Sequence, residues 1–371
     1  MAKSQRSSIK ALLAVVATGA LLLSGCVAKE DSQTGSSTAA DAGSFKPEFV
    51  DGKLQPLPDG FPENPITIIN TDDAGSRDGL YARTLDQALR DISPVDIIVS
   101  DEPRAQGGTV DTMVEVEDRD GGKEGYNVIV TSILGTSTDF HSVDYEKELG
   151  VTLDDLDFFI ATEEYPYVLA QRADAPWGDD FASFVEYGRA NPGKLRYISG
   201  GVGSGVDLTM EWLLDGLKIQ ATKVPAADRE AAMAAVGAGQ GDFTLTQPEL
   251  AMQAEQQGRI RVTFVTTKEA PDEWAGRVAT ASDYPEYGLP DATWGTVQGL
   301  MVPAAVDDTH VAWLHALFEA ATKTAAYQKR GETQAGIKLQ LWTEEDANAL
   351  AKTLFDLSDP VVRKAGLHWE K

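Results

Sequence analysis

Residues 191–205 read NPGKLRYISGGVGSG. A short strand pattern at 195–198 empties into a glycine-rich loop, and the segment beyond repeats apolar residues at Val206, Met210, Leu213, Leu214 and Leu217, which is helical spacing. Strand, loop and helix in that order are the repeating unit of an α/β sheet. Within Ser199, Gly200, Gly201, Val202, Gly203, Ser204 and Gly205, four residues lack a Cβ, so the backbone can take positive φ and a ligand can approach it closely. The loop opens a helix, where unpaired N–H groups and the positive end of the dipole favour an anion, and Ser199 and Ser204 add hydroxyls. The stretch 201–205 spells G-x-G-x-G, not the dinucleotide pattern G-x-G-x-x-G, and no G-x-x-x-x-G-K-[ST] occurs. Ser204 has glycine on both immediate sides, unlike the serine of a nucleophile elbow. A tight turn that binds nothing is the alternative reading of the same letters.

Outward from this loop, apolar strand-like runs at 66–69, 95–99, 128–130 and 158–160 alternate with helical patterns such as 80–89. A second set follows, with strands at 167–169, 195–198, 221–224, 243–245 and 262–265 and helices at 181–190, after Gly205 and at 229–236. The alternation predicts an α/β architecture with a largely parallel sheet in each set. The ligand crevice of such a sheet lies at the C-terminal ends of its strands. Amphipathic helices at 311–325 and 344–357 have no strands of their own and are expected to return over the first set.

Lys3, Arg6 and Lys10 precede an apolar run at 11–23, and Leu23, Ser24, Gly25 and Cys26 follow, the pattern of a secretory signal with small residues before the cleavage point. The run is shorter than the roughly 20 residues of a membrane span, which weighs against the rival reading as a signal anchor. Cys26 is the only cysteine, and its setting resembles a bacterial lipobox, in which the cysteine becomes the lipid-modified first residue. Residues 1–25 are therefore read as signal peptide and 26–60, rich in Ala, Ser, Asp, Gly, Lys and Pro, as lipid anchor and flexible tether. Without the signal, 29 basic residues face 58 acidic ones. Nucleic acid is excluded as a partner for want of a basic footprint, and any anion site must rely on local dipoles and donors.

The run 191–205 resembles the signature loop of the substrate-binding proteins of tripartite tricarboxylate transporters, the Bug-type receptors. Other segments match in the same order: ITIINTDDAGSRDGLYAR (66–83), Gly107 to Thr109, Gly125 with Tyr126, Val224 with Pro225, Gly241 with Asp242, GRIRVTFVTT (258–267) and WGTVQGLMVP (294–303). The resemblance runs from about residue 62 to the C-terminus. It implies a bilobed, hinged, type II periplasmic-binding fold, with lobe one at 61–165 and 281–371, lobe two at 166–280, and hinge crossovers near 163–167 and 279–290. It also implies a small organic carboxylate held between the lobes through backbone amides and bridging waters, and a large and a small membrane component as partners. The chain departs from the family pattern in two places. Asp72, Asp73, Ala74 and Gly75 stand where Pro-Ala-Gly-Gly is common, with Arg83 one residue late relative to Asp78, and Ala226 stands where many relatives carry Tyr.

The residues expected to line the cleft are Gly75 and Ser76 at the N-terminus of the 80–89 helix, Thr131 and Ser132 at one strand end, Thr246 and Gln247 at another, and Ser199, Gly200, Gly201, Val202, Gly203 and Ser204. Hydroxyls at strand ends also form turns. Asp72 and Asp73 either repel a second carboxylate, face solvent or hold a ligand amino group. Arg77 offsets them or faces solvent, and Trp294 is read as core packing. His141, His310, His315 and His368 show no metal-ligand spacing, so no metal, cofactor or catalytic residue is expected. The function these readings support is an extracytoplasmic, lipid-anchored solute receptor. A structural surface lipoprotein and a hydrolase with paired carboxylates are the alternatives.

Overall fold

The computed structural model describes residues 45–104, 108–287, 289 and 294–370. Cys26, the signal segment and Gly107 lie outside the described residues. The chain enters through a small hairpin, β1 (Phe49–Val50) and β2 (Lys53–Leu54), and continues with β3 (Ile66–Asn70), α1 (Arg77–Leu89), β4 (Ile97–Asp101), α2 (Gly108–Glu117), β5 (Asn127–Ser132), α3 (Ile133–Ser142), α4 (Tyr145–Leu149) and β6 (Leu156–Pro166). After Tyr167 come β7 (Val168–Arg172), α5 (Phe181–Ala190), β8 (Leu195–Ser199), α6 (Gly205–Leu217), β9 (Ala221–Pro225), α7 (Arg229–Gly237), β10 (Phe243–Thr246), α8 (Pro248–Gln256) and β11 (Ile260–Val265). The return comprises β12 (Gly295–Pro303), α9 (Asp308–Thr322), α10 (Ala325–Thr333), β13 (Lys338–Trp342) and α11 (Glu344–Lys364).

Two sheets result, six-stranded in the order β13-β6-β12-β5-β3-β4 and five-stranded in the order β11-β7-β10-β8-β9. This is the bilobed arrangement of two open α/β lobes joined by two crossovers. The sheets are mixed, which corrects the expectation of largely parallel ones. β4, β3 and β5 run parallel, as do β9, β8 and β10, but β12 is antiparallel to both β5 and β6, and β7 to both β10 and β11. The reason is topological. β6 and β11 leave their lobes at the C-terminal strand ends, so β7 and β12, which enter from that same side, must run against their neighbours.

Packing follows the apolar pattern. Ile66, Ile68, Val128, Val130 and Leu300 form one face of the first sheet and pack with Tyr81, Leu85, Leu89, Leu314, Leu317 and Phe318 of α1 and α9. Each such side chain, fully buried, contributes roughly 1.5–3 kcal/mol. The C-terminal helices therefore do return over the first lobe. The stretch 45–60, expected as tether, is instead docked there: Leu54 and Leu57 are buried, Leu54 N–H bonds Ile92 O at 2.9 Å, and Trp313 Nε1 bonds Gln55 O at 2.8 Å. Two buried leucines are too few to show periodicity, which is why composition alone read the segment as flexible. Residues 281–287 and Leu289, expected with lobe one, pack on lobe two, with Tyr284 and Tyr287 against Phe181 and Leu289 against Gly216.

Candidate functional site

The glycine loop after β8 is organised from beneath by Asp207, a buried residue in the first turn of α6. Its Oδ1 accepts from Ser199 Oγ at 2.7 Å and Tyr197 OH at 3.2 Å, while Oδ2 accepts from Gly203 N–H at 3.0 Å and Lys223 Nζ at 2.9 Å. Ser204 caps the helix, its Oγ accepting from Asp207 N–H at 3.3 Å. The hydroxyls of Ser199 and Ser204, expected to face a ligand, are thus engaged within the loop. Gly200 is required by close approach, since a Cβ there would lie 2.7 Å from Arg229 Cα. Gly203 adopts φ +82°, and Val202 is 59% exposed at the tip.

The first-lobe loop is built on Asn70, whose buried amide bonds Asp72 O at 2.7 Å and Asp101 Oδ1 at 2.8 Å. Ser76 caps α1 by accepting from Gly79 N–H at 3.1 Å, and Gly75 has open space on its Cβ side. α1 begins at Arg77, earlier than the spacing predicted, so the loop and the helix start lie closer together than expected. Asp72 and Asp73 are exposed, and Asp72 Oδ1 accepts from Asp73 N–H at 2.8 Å.

Between the loops lies β12. Trp294, Thr296 and Gln298 alternate onto one side of the strand. Trp294 stacks on Trp212 of α6 at 4.6 Å and 10°, Thr296 Oγ1 meets Tyr167 OH at 3.1 Å, and Gln298 Nε2 bonds Thr131 O at 3.1 Å. Core packing, as expected for Trp294, is what its full burial and stacking show. Thr131 Oγ1 bonds Thr136 Oγ1 at 2.8 Å and Ser132 caps α3, so the hydroxyls of that pair are also occupied. Thr246 differs: its buried Oγ1 has no partner among the described residues. Gln247 is half-buried at the N-cap of α8 and makes no capping bond.

A charge pair joins the two lobes across this space. Arg77, the first residue of α1, lies with its guanidinium carbon 4.2 Å above the Tyr165 ring and its Nη2 3.2 Å from Oε1 of Glu249 in the first turn of α8. Tyr165 is held by a buried network: its hydroxyl donates to Glu163 Oε2 and accepts from Arg330 Nη2, and Glu163 also pairs with Arg330 Nε. Arg77 Nε, Glu249 Oε2, Gln298 Oε1 and Trp294 Nε1 are buried without a partner among the described residues. Asp78, beside Arg77 and hydrogen-bonded to Gln298, is pushed up to about 6 by burial and by the nearby Asp72 charge. The sequence pointed to the loops but not to Glu249 or Asp207. Pro248 at the first position of α8 and the Ser204-x-x-Asp207 spacing are the signals that mark them.

A second cluster lies elsewhere, where His141, Asp359 and His368 come together. His368 Nδ1 accepts from Glu370 N–H at 3.0 Å, which places its proton on Nε2, 3.2 Å from Asp359 Oδ1, and Arg363 Nε adds a bond to the same oxygen at 2.8 Å. Asp359 is already neutralised and His368 presents a proton, so the group ties down the chain end and does not resemble a ready metal site.

Residues 81–367 match the family model described as tripartite tricarboxylate transporter family receptor. The chain belongs to this receptor family. A UPF0065 protein of Cupriavidus necator is 25% identical over 276 residues, covering 73% of this chain and 78% of that one. Among solved structures, a TctC solute-binding protein from Polaromonas aligns with a TM-score of 0.70 at 19% identity, over 82% of this chain and 99% of its own. MatC from Rhodopseudomonas palustris, with bound malate, aligns with a TM-score of 0.55 at 22% identity, over 81% of this chain and all of its own. The receptor is a solute-binding protein, not an enzyme.

Proposed function

We propose that this receptor works outside the cytoplasm, captures a small carboxylate-bearing solute between its lobes and hands it to the large and small membrane components of a tripartite tricarboxylate-type transporter. The carrying observation is the placement of two helix N-termini, α1 behind Gly75 and Ser76 and α6 behind the 199–204 loop, at the C-terminal strand ends of opposite lobes. Helix N-termini favour anions through free N–H groups. Gly75, Gly200, Gly201 and Val202 contribute backbone amides, those of Ser76, Gly203 and Ser204 being held by Asp73 O, Asp207 and Gly201 O, and Thr246 and Gln247 contribute side chains. Thr131 and Ser132 shape the wall. The lobes take the ranges 61–165 with 281–371 and 166–280, adjusted for the packing of 281–287 and Leu289. Lobe closure would couple capture to docking, because the closed form offers the membrane components a different surface. Cys26 carries a lipid that keeps the receptor at the membrane.

Thermal-shift screening of di- and tricarboxylates, acidic amino acids and aromatic acids tests capture. A ligand at 100 times its Kd stabilises by about 2.7 kcal/mol, and no response from any class would argue against the reading. Cys26→Ala should release a folded, ligand-competent protein; firm membrane retention of that variant would remove the anchor from the proposal.

A further inference from the structure

Arg77 and Glu249 open α1 and α8, and they approach from opposite lobes. Their contact is a single one, at 3.2 Å. Elsewhere in the same chain, arginine and carboxylate close a two-point fork: Arg119 on Glu102 at 3.0 and 2.7 Å, Arg277 on Glu255 at 3.0 and 2.8 Å. Such pairs are frequently bidentate, although single contacts occur as well, as between Arg261 and Asp179 at 3.2 Å. Here Arg77 Nε and Glu249 Oε2 are instead both buried and unpartnered among the described residues. A buried donor and a buried acceptor, left over from one pair, call for a partner that supplies both an acceptor and a donor.

We propose that the cleft selects a solute bearing one carboxylate and one ammonium group, Arg77 taking the carboxylate and Glu249 the ammonium. This rests on the solute-receptor reading above and narrows it. The Tyr165 face orients the guanidinium, and the Glu163–Arg330 network fixes Tyr165, so the anion-binding half is organised in advance. The other half is rich in acceptors. An ammonium has three donors to satisfy, and besides Glu249 Oε2 the acceptors Gln298 Oε1 and Thr246 Oγ1, on buried residues of the two lobes, are unpartnered among the described residues. A second carboxylate would meet the Glu249 charge instead, a like-charge juxtaposition that discriminates against it.

The test is calorimetry on the full chain in detergent, against neutral α-amino acids, γ-aminobutyrate, malate, adipate and citrate. At least one amino carboxylate should bind roughly 100-fold or more tighter than any di- or tricarboxylate. Glu249→Gln should weaken it by roughly 30-fold or more, Glu249→Asp should restore part of the loss, and neither should weaken the dicarboxylates. Thermal melting of each variant establishes that it folds. Tight dicarboxylate binding with no amino carboxylate bound would overturn the proposal and leave the receptor reading standing. Silence across the whole panel would overturn both.

Discussion

Ser199 donates its hydroxyl to the buried Asp207 carboxylate at 2.7 Å, so the serine at the mouth of the glycine loop holds the loop in shape. The same carboxylate takes Gly203 N–H and Lys223 Nζ. Asp207→Ala therefore leaves the Ser199 and Tyr197 hydroxyls and Gly203 N–H without their acceptor, while Lys223 keeps Glu211 Oε1 at 2.7 Å. Denaturant unfolding should show a loss of about 1–3 kcal/mol. A loss below 1 kcal/mol would mean that the loop does not depend on this residue.

Gly201 lies at φ +154°, a conformation side chains rarely adopt, and nothing but Ser204 crowds its Cβ direction. Gly201→Val should distort the loop without disturbing the core. Solute affinity should fall at least tenfold, about 1.4 kcal/mol, with little change in melting temperature. Unchanged affinity by calorimetry would mean that the loop is a turn and no more.

Glu163 and Arg330 form a buried ion pair that joins β6, at the crossover, to α10. Arg330→Met strands the carboxylate and should cost about 3–5 kcal/mol, whereas the double variant with Glu163→Gln should recover much of it. Equal losses in the single and double variants would show that the arginine acts by packing alone.

Burial holds Asp78 protonated up to about pH 6, against an ordinary 3.8. The folded form thus keeps a proton that the unfolded chain has released, and this group's contribution to stability falls as pH rises from 4 through 6. Asp78→Asn removes the titration. The variant should melt higher than the parent at pH 7.5, and the difference should shrink as pH drops below 6. A difference independent of pH between 4.5 and 7.5 would contradict the assignment.

Much of the molecule was legible because its signals are local. The alternation of strand and helix patterns located the 181–190 helix to the residue and the glycine loop with its following helix. What escaped was anything fixed by contacts between distant segments. Arg77 and Glu249 are 172 residues apart, and no periodicity marks a pair that only lobe apposition creates. Asp207 was hidden differently: it reads as one more acid in an acidic chain until the strand end is folded back over the helix. The hairpin at 49–54 was missed because docking a few side chains leaves no repeating pattern.

Trp212 rides on α6 of one lobe, and Trp294 leads into β12 of the other. Two indoles parallel at 4.6 Å couple their electronic transitions, and that coupling decays steeply with separation and tilt. The receptor therefore carries a built-in optical gauge in the buried seam between α6 and the start of β12. Near-ultraviolet circular dichroism and tryptophan emission should follow the spreading of the lobes in unlabelled protein, on the timescale of a stopped-flow mixing experiment.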